Sequence, residues 1–194
     1  MQPNAITEPE LIAACLQGKP AAQRALFERF AGRLMSLCRR YGSKTSEAED
    51  MHQKGWLRIF DNLAQCKNTE GPALEAWLRR VMVTTCLNHL RDQKKHKIWQ
   101  NELQTHMENT TSYDPGLLLA DAAQLQAAVH ALPEGARLVF NLFAVEGFSH
   151  AEVATMLQIS EGTSRSQLTR ARQLLQAKIA QISAPNRSKT NSQL

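Results

Sequence analysis

The sequence predicts an all-α protein made of two helical domains joined by a flexible acidic linker, the C-terminal one a helix-turn-helix. Three observations lead to this class. Apolar residues recur at spacings of three and four, which is the period of an amphipathic helix. Alternating β-branched runs bounded by Asn-Gly or Asp-Gly turns, the usual signal of a hairpin, are missing. A cluster of Asn, Thr, Ser, Asp, Pro and Gly at 109–116 separates the two helical stretches.

The first domain is expected to contain four helices. Its clearest apolar stripe runs at every third or fourth residue from Leu26 to Leu37. The third helix is expected to begin at a capping box formed by Ser46 and Glu49. These helices are expected near residues 9–17, 21–40, 46–63 and 71–95.

The second domain is also expected to contain four helices, and the chain then ends in a polar, disordered tail. The expected helices lie at about 118–131, 133–146, 149–157 and 162–182. The resulting division of the chain is a first domain at 8–97, a linker at 98–117, a second domain at 118–182 and the tail at 183–194.

The charge of the chain is segregated along its length. The formal net charge is +5 and the pI is near 9.2. Residues 79–97 carry six Lys or Arg against one Asp, residues 98–134 carry five acids and no base, and residues 162–178 carry four bases and no acid. Two basic helical segments that flank an acidic connector favour a polyanionic partner such as nucleic acid.

Composition also excludes several classes. No apolar run approaches the roughly 20 residues that span a bilayer, and the N-terminus lacks the pattern of a signal peptide, so a cytoplasmic location is expected. Cys86 and His89 stand at helical spacing, but a second pair of zinc ligands is missing. The sequence has no Gly-rich phosphate loop and no nucleophile–base motif. We therefore expect no enzymatic activity, no metal, no cofactor and no small-molecule substrate.

The strongest local motif lies at residues 149–172. Ser149 and Glu152 form a capping box before a short helix, and Gly162-Thr163 opens a longer helix with only basic charges. This is the layout of a helix-turn-helix, whose second helix enters the major groove; the alternative is a helical hairpin with a solvated basic face. The residues expected to contact DNA are Ser164, Arg165, Ser166, Gln167, Thr169, Arg170 and, at phosphates, Arg172.

The residues from Leu132 to Arg172 are similar to the C-terminal domain of extracytoplasmic-function (ECF) σ factors of bacterial RNA polymerase, which belong to the sigma-70 family. The resemblance implies that this domain binds the upstream (minus-thirty-five) promoter element. Gln158 departs from the family pattern, because Gly usually stands in this turn. A non-Gly residue in a left-handed turn costs roughly 1 kcal/mol.

The N-terminal half resembles the same family in two segments. Residues 47–60 are similar to the helix that docks on core polymerase, although Lys54 and Gly55 depart from its pattern. The resemblance implies that the docking residues are Asp50, Gln53, Trp56, Leu57 and Arg58. Residues 77–91 are similar to the helix that reads the downstream (minus-ten) element, and residues 64–72 correspond to the loop that captures a flipped base. The residues implied for that element are Lys67, Asn68, Arg80, Asn88, Arg91, Lys94 and Lys95.

Three classes of function can be compared with these sequence features. A σ factor accounts for both halves, with core RNA polymerase and promoter DNA as partners and a cognate anti-σ protein as a further candidate. A stand-alone helix-turn-helix regulator accounts for the second half alone, and an enzyme for neither. For Trp77, core packing is favoured over base stacking, since few aromatic residues accompany it. The acidic linker is equally compatible with a segment threaded through polymerase and with a solvated spacer.

Overall fold

The computed structural model describes residues 6–101 and 120–183, with side chains for 6–94 and 124–180. Within these ranges the secondary structure is helical and contains no strand, as predicted. The chain divides into two compact units at Ser112/Tyr113. The predicted tail and most of the predicted linker lie outside the described residues.

The described residues of the first unit, 6–101, form four helices and one 3-10 turn at Leu63–Gln65. The helices are α1 (Glu8–Leu16), α2 (Pro20–Tyr41), α3 (Thr45–Asn62) and α4 (Gly71–Asn101). Helix α4 continues four residues past the predicted domain end at 97. Helices α2, α3 and α4 pack against one another in pairs, and α1 packs on α2.

The core of the first unit is built from the predicted apolar stripes. Leu26, Phe30, Leu34 and Leu37 of α2 are all buried. On the helices that pack against α2, the buried residues include Met51 and Ile59 of α3 and Leu74, Leu78 and Met82 of α4. Burying a Leu, Ile, Met or Phe side chain contributes about 1.5–3 kcal/mol each, so this shared core holds the three helices together.

The start of α3 differs from the prediction. The helix begins at Thr45, and its N-cap residue, Lys44, makes no side-chain cap. Instead Oε2 of Glu47 accepts hydrogen bonds from the Ser43 backbone N–H and hydroxyl, both at 2.6 Å. The predicted Ser46–Glu49 capping box is wrong because the helix starts one residue earlier and a buried carboxylate, rather than Glu49, reaches back to the chain before it.

In the described residues of the second unit, three helices pack around a fourth. They are α5 (Ala120–His130), α6 (Glu134–Phe140), α7 (His150–Leu157) and α8 (Glu161–Ser183). Helix α8 contacts each of the other three. Helix α6 continues as a π-helical turn over Asn141–Val145, in which Glu146 N–H donates to Asn141 C=O at 2.9 Å. The predicted single helix at 133–146 is thus two segments of different pitch.

The turn between α7 and α8 confirms the predicted helix-turn-helix. Ser149 and Glu152 form the predicted capping box at the start of α7. Gln158 ends α7 in the left-handed conformation, with φ 58° and ψ 45°. Ser160 then caps α8 through its hydroxyl, which accepts from the Thr163 N–H at 3.0 Å. The left-handed residue expected of this turn is therefore present, without the usual Gly.

Candidate nucleic-acid and protein interfaces

Helix α8 has one apolar face and one polar face. Its buried residues are Ser164, Leu168, Ala171 and Leu175, at the helical spacing of four, three and four. The residues on the remaining surface include five of the seven predicted DNA contacts. These exposed residues are Arg165, Ser166, Thr169, Arg170 and Arg172.

Two predicted DNA contacts on α8 lie elsewhere. Ser164 is 0% exposed, and its Oγ is hydrogen-bonded to Nδ1 of His150 at 2.8 Å. This burial argues against the predicted DNA contact, because the position belongs to the buried stripe and joins α8 to the start of α7. Gln167 is half-buried, and its amide lies beside Gly135 of α6. Its side chain is therefore directed along α6 rather than towards the outer face.

The exposed polar side chains of α8 are held by bonds within the helix. Arg165 pairs with Glu161 one turn earlier at 2.8 Å, and both side chains are about half exposed. The hydroxyl of Thr169 donates to the Arg165 C=O at 3.1 Å, and that of Ser166 to the Thr163 C=O at 3.0 Å. An exposed ion pair of this kind contributes little to stability. Arg165 can therefore exchange Glu161 for a base edge or a phosphate at a small cost in free energy.

A groove of about 540 Å³ lies between the end of α3 and the middle of α4. Trp77 lines it and is half-buried rather than fully packed in the core, so the sequence interpretation of this residue as core is only partly right. Trp77 offers an aromatic surface and the groove walls offer cationic and amide groups, which suits a nucleobase and its phosphate. The lining residues are Arg58, Asn62, Gln65, Trp77, Arg80, Val81, Thr84 and Asn88.

The other predicted downstream-element residues surround this groove unevenly. Arg91 donates to Asn88 Oδ1 at 2.9 Å, which orients a side chain of the groove wall. Lys94 is exposed one turn further along α4, and the side chain of Lys95 lies outside the described residues. Lys67 and Asn68 are exposed in the loop before α4 and do not line the groove.

The outer surface of α3 carries four of the five predicted docking residues. Gln53, Leu57 and Arg58 are exposed, with Leu57 65% exposed, and the Asp50 side chain is 42% exposed. Such an apolar side chain beside polar ones is typical of a protein interface. Arg58 also lines the groove, so it stands between the two surfaces.

Trp56, the fifth predicted docking residue, does not belong to this surface. It is 4% exposed, and its ring packs against Phe27 and Phe60 at centroid distances of 4.9 and 5.5 Å. Its indole N–H donates to Nε2 of His52 at 2.9 Å. Burial lowers the pKa of His52, and the Ala31 C=O, 3.2 Å from the same Nε2, opposes this effect. The burial of its side chain argues against the predicted direct contact by Trp56.

A polar cluster that sequence reasoning missed joins α3 to α4. His89 of α4 lies between two carboxylates of α3, with Nε2 3.5 Å from Glu47 Oε1 and Nδ1 3.3 Å from Asp50 Oδ2. Lys54, a departure from the family pattern, pairs with the same Asp50 oxygen at 2.7 Å. No local signal could have revealed this cluster, since its members lie some forty positions apart in sequence.

The buried member of the cluster is ionised. Burial by itself raises the pKa of the Glu47 carboxyl, but hydrogen bonds from Ser43 and Gln93 and the nearby His89 outweigh it and hold the pKa below its usual value. Cys86, which stands at helical spacing from His89, lies in the core. Its Sγ is 3.9 Å from that of Cys38. Among the described residues no group of three or more His, Cys, Asp or Glu could hold a metal ion.

Two models of the sigma-70 family match the chain. Sigma-70 region 2 matches residues 26–96, and sigma-70 region 4 matches residues 122–175. An ECF RNA polymerase sigma factor SigM of Mycobacterium tuberculosis is 30% identical over 163 residues, which cover 84% of this chain and 80% of that protein. The chain belongs to the ECF sigma factors. An ECF sigma-E factor of Haemophilus influenzae is 27% identical over 187 residues, covering 90% of this chain and 96% of that protein.

Two solved structures share the fold of this sigma factor. One is the sigma factor RpoE of Bartonella quintana in complex with the anti-sigma factor NepR, with a TM-score of 0.57, 20% identity, and coverage of 81% of this chain and 96% of that one. The other is CnrH in complex with the cytosolic domain of CnrY, with a TM-score of 0.51, 21% identity, and coverage of 91% and 99%. In the described part of this chain, no helix combines the length and the apolar character needed to cross a membrane.

The chain is thus an alternative sigma factor that directs promoter-specific initiation of transcription. Region 2 corresponds to the unit with the groove and the exposed face of α3, and region 4 to the unit with the helix-turn-helix. The stand-alone regulator is not favoured, because region 2 matches the half that such a regulator leaves without a role.

Proposed function

We propose that the two units divide the work of promoter recognition. The first unit, at about 8–97, binds core RNA polymerase through the exposed face of α3 and holds the downstream promoter element in the groove beside α4. The second, at about 118–182, reads the upstream element with α8. The observation that carries this proposal is the outward polar face of α8, on a helix whose opposite face is fully committed to the core.

The contacts proposed for α8 follow from its exposed residues. Arg165 and Arg170 are placed to bind bases, since Arg pairs bidentately with guanine, while Arg172 is placed for phosphate. Ser166 and Thr169 add hydroxyls whose lone pairs can accept from base amino groups. In this proposal Ser164 and Gln167 support the helix instead of reading DNA.

The contacts proposed for the first unit separate into two groups. Asp50, Gln53 and Leu57 form the polymerase-binding face, with Leu57 as its apolar centre. Arg58, Arg80, Asn88 and Trp77 form the groove, in which a single-stranded base can stack while Arg58 and Arg80 meet phosphates. Lys67, Asn68, Arg91 and the lysines that follow in α4 extend the basic surface around it.

Binding two promoter elements at once explains why modest contacts suffice. Linked contacts raise the effective affinity because the second binding event becomes intramolecular. The protein then acts by positioning polymerase, in the cytoplasm and without catalysis of its own. The solved structure of RpoE is a complex with the anti-sigma factor NepR, which supports a cognate anti-sigma protein as a further partner of this chain.

The proposal is tested by transcription in vitro with core polymerase, this protein and a library of randomised promoters. We expect transcripts from a subset that shares two elements at a fixed spacing. Arg165→Ala lowers this output about tenfold, since a bidentate base contact contributes about 1–3 kcal/mol. Asp50→Ala lowers it by weakening core binding. Transcripts from promoters without a shared upstream element would contradict the assignment of α8.

Two control variants match these substitutions. Arg24→Ala removes an exposed arginine that pairs with Glu28 one turn away at 2.8 Å, as Arg165 does with Glu161, but on α2. Glu49→Ala removes an exposed acid adjacent to Asp50 that points about 100° away around α3. Both variants are expected to transcribe at the level of the unaltered protein.

A further inference from the structure

His89 is the residue through which α4 touches the proposed docking face. Its imidazole is only 12% exposed and lies between Glu47 and Asp50 of α3. Gln93, one turn further along α4, places its amide nitrogen 2.9 Å from Nε2 of His89. The imidazole therefore has polar neighbours at both ring nitrogens: Asp50 at Nδ1, and Glu47 and Gln93 at Nε2. Glu47 and Asp50 belong to α3, whereas Gln93 belongs to α4.

The contacts of the imidazole differ at its two nitrogens. Nε2 lies 2.9 Å from the amide nitrogen of Gln93 and 3.5 Å from Oε1 of Glu47. Nδ1 lies 3.3 Å from Oδ2 of Asp50, which is within ion-pair distance of that carboxylate. Asp50 therefore contacts the imidazole through Nδ1.

The cluster has a fixed side and an exposed side. Glu47, 8% exposed, is anchored by the two hydrogen bonds from Ser43 and forms the buried wall against which the imidazole lies. Asp50 is at the surface, held by Lys54 on one side and by His89 on the other. Its side chain is 42% exposed.

A surface carboxylate does not need a half-buried imidazole for its solvation, because water serves that purpose. What the imidazole adds is orientation: the Asp50 side chain loses rotamer freedom before any partner arrives. A preorganised side chain binds more tightly, since less entropy is lost on association.

We propose that His89 is a positioning residue that holds the Asp50 carboxylate in the orientation in which α3 docks on core RNA polymerase. The side chain of His89 thus connects α4, which carries Trp77 and Arg80 of the groove, to the proposed docking face of α3. The inference rests on the proposed function, in which Asp50 is a polymerase contact.

The test measures the affinity of the full chain for core polymerase in a set of His89 and Asp50 variants. His89→Phe keeps a ring but removes both nitrogens, and we expect it to weaken binding about fivefold, in line with the loss of one polar contact to a partly solvated charged group. His89→Asn carries a nitrogen at the position of Nδ1 and is expected to bind nearly as the unaltered protein. His89→Gln carries one at the position of Nε2 and is expected to bind as weakly as the Phe variant.

A double-mutant cycle separates positioning from a general structural effect. If His89 acts through Asp50, then Asp50→Asn with His89→Phe binds core no more weakly than Asp50→Asn alone. Effects that multiply, or affinities that follow the melting temperatures of the three His89 variants, would overturn the inference and leave the proposed function standing.

The single variant Asp50→Asn tests the proposed function itself. Glu49→Gln is its matched control and is expected to leave core affinity unchanged. If the chain binds core but Asp50→Asn has no effect, the assignment of Asp50 fails and the role of His89 fails with it. If the unaltered chain does not bind core, the proposed docking function is rejected before His89 is considered.

Discussion

The helix-turn-helix and the α3–α4 junction hold their polar side chains in different ways. On α8 the exposed groups bond within their own helix, as Arg165 does to Glu161 and Thr169 to the backbone of Arg165. At the α3–α4 junction the polar contacts run between helices, from His89 to Glu47 and Asp50. Substitutions on the face of α8 should therefore change recognition and spare stability, whereas substitutions at the junction should change both.

The largest effect is expected at Glu47. Glu47→Gln removes the charge that Ser43, Gln93 and His89 surround, and it leaves a buried network partly unsatisfied. We expect the free energy of unfolding to fall by about 3 kcal/mol. Urea unfolding followed by circular dichroism measures it, with Glu49→Gln as the exposed control expected to change by less than about 0.5 kcal/mol. If Glu47→Gln lowered the free energy of unfolding only slightly, the α3–α4 junction would not differ from the face of α8 in its effect on stability.

The same carboxylate predicts a pH dependence with a definite sign. The pKa of Glu47 is lowered in the folded chain, so its stabilising contribution is present above the ordinary pKa of 4.5 and is lost as the pH falls through the lower, folded value. The stability difference between the unaltered protein and Glu47→Gln should therefore narrow below pH 4.5. Chemical unfolding at a series of pH values measures this, and a gap that stays constant into acid would contradict it.

An intermediate effect is expected where α3 crosses α4. A Cβ on Gly55 would collide with the side chain of Met82, which is fully buried. We expect Gly55→Val to lower the free energy of unfolding by about 2 kcal/mol through overpacking. Adding Met82→Ala should recover part of this loss, because it removes as many heavy atoms as Val adds. Additive losses in the double variant would show that the two positions do not share this space.

A smaller effect of opposite sign is expected in the turn of the helix-turn-helix. Gln158 is in the left-handed region, where Gly has no Cβ penalty. Gln158→Gly should raise the free energy of unfolding by about 1 kcal/mol, while Gln158→Ala should leave it nearly unchanged. Thermal unfolding of the two variants side by side measures the difference, and equal melting temperatures would argue against strain at this residue.

The smallest effect on stability is expected on the outer face of α8. Arg165→Ala should change the free energy of unfolding by less than about 0.5 kcal/mol, because its ion pair with Glu161 is exposed. The same variant is expected to lose about tenfold in transcription. A large loss of stability in Arg165→Ala would show that the polar side chains of α8 contribute to stability as those of the α3–α4 junction do.

The same contrast explains what the sequence could predict. The apolar stripe of α2, the capping box of Ser149 and the left-handed turn at Gln158 are local features, and the structure has all of them. The burial of Ser164 was also predictable, since this residue lies one turn before Leu168 on the stripe that is buried.

The rest depends on pairs that are distant in sequence. Gly55 departs from the family pattern because Met82, twenty-seven positions later, fills the space beside it. Lys54 also departs from the family pattern, and it pairs with Asp50, which contacts His89 of the following helix. Helical periodicity predicts which face of a helix is apolar, but it does not predict which polar residue of another helix meets it. The site residues at the α3–α4 junction therefore required the structure.

The central claim is that this protein reads promoters as part of RNA polymerase. The most direct test measures the affinity for one selected promoter duplex, by fluorescence anisotropy, of the protein alone, core polymerase alone and the two together. The account predicts that the combination binds at least about 100-fold more tightly than either component, as expected when linked contacts act together. Equally tight, sequence-specific binding by the protein alone, with no gain from core polymerase, would contradict it.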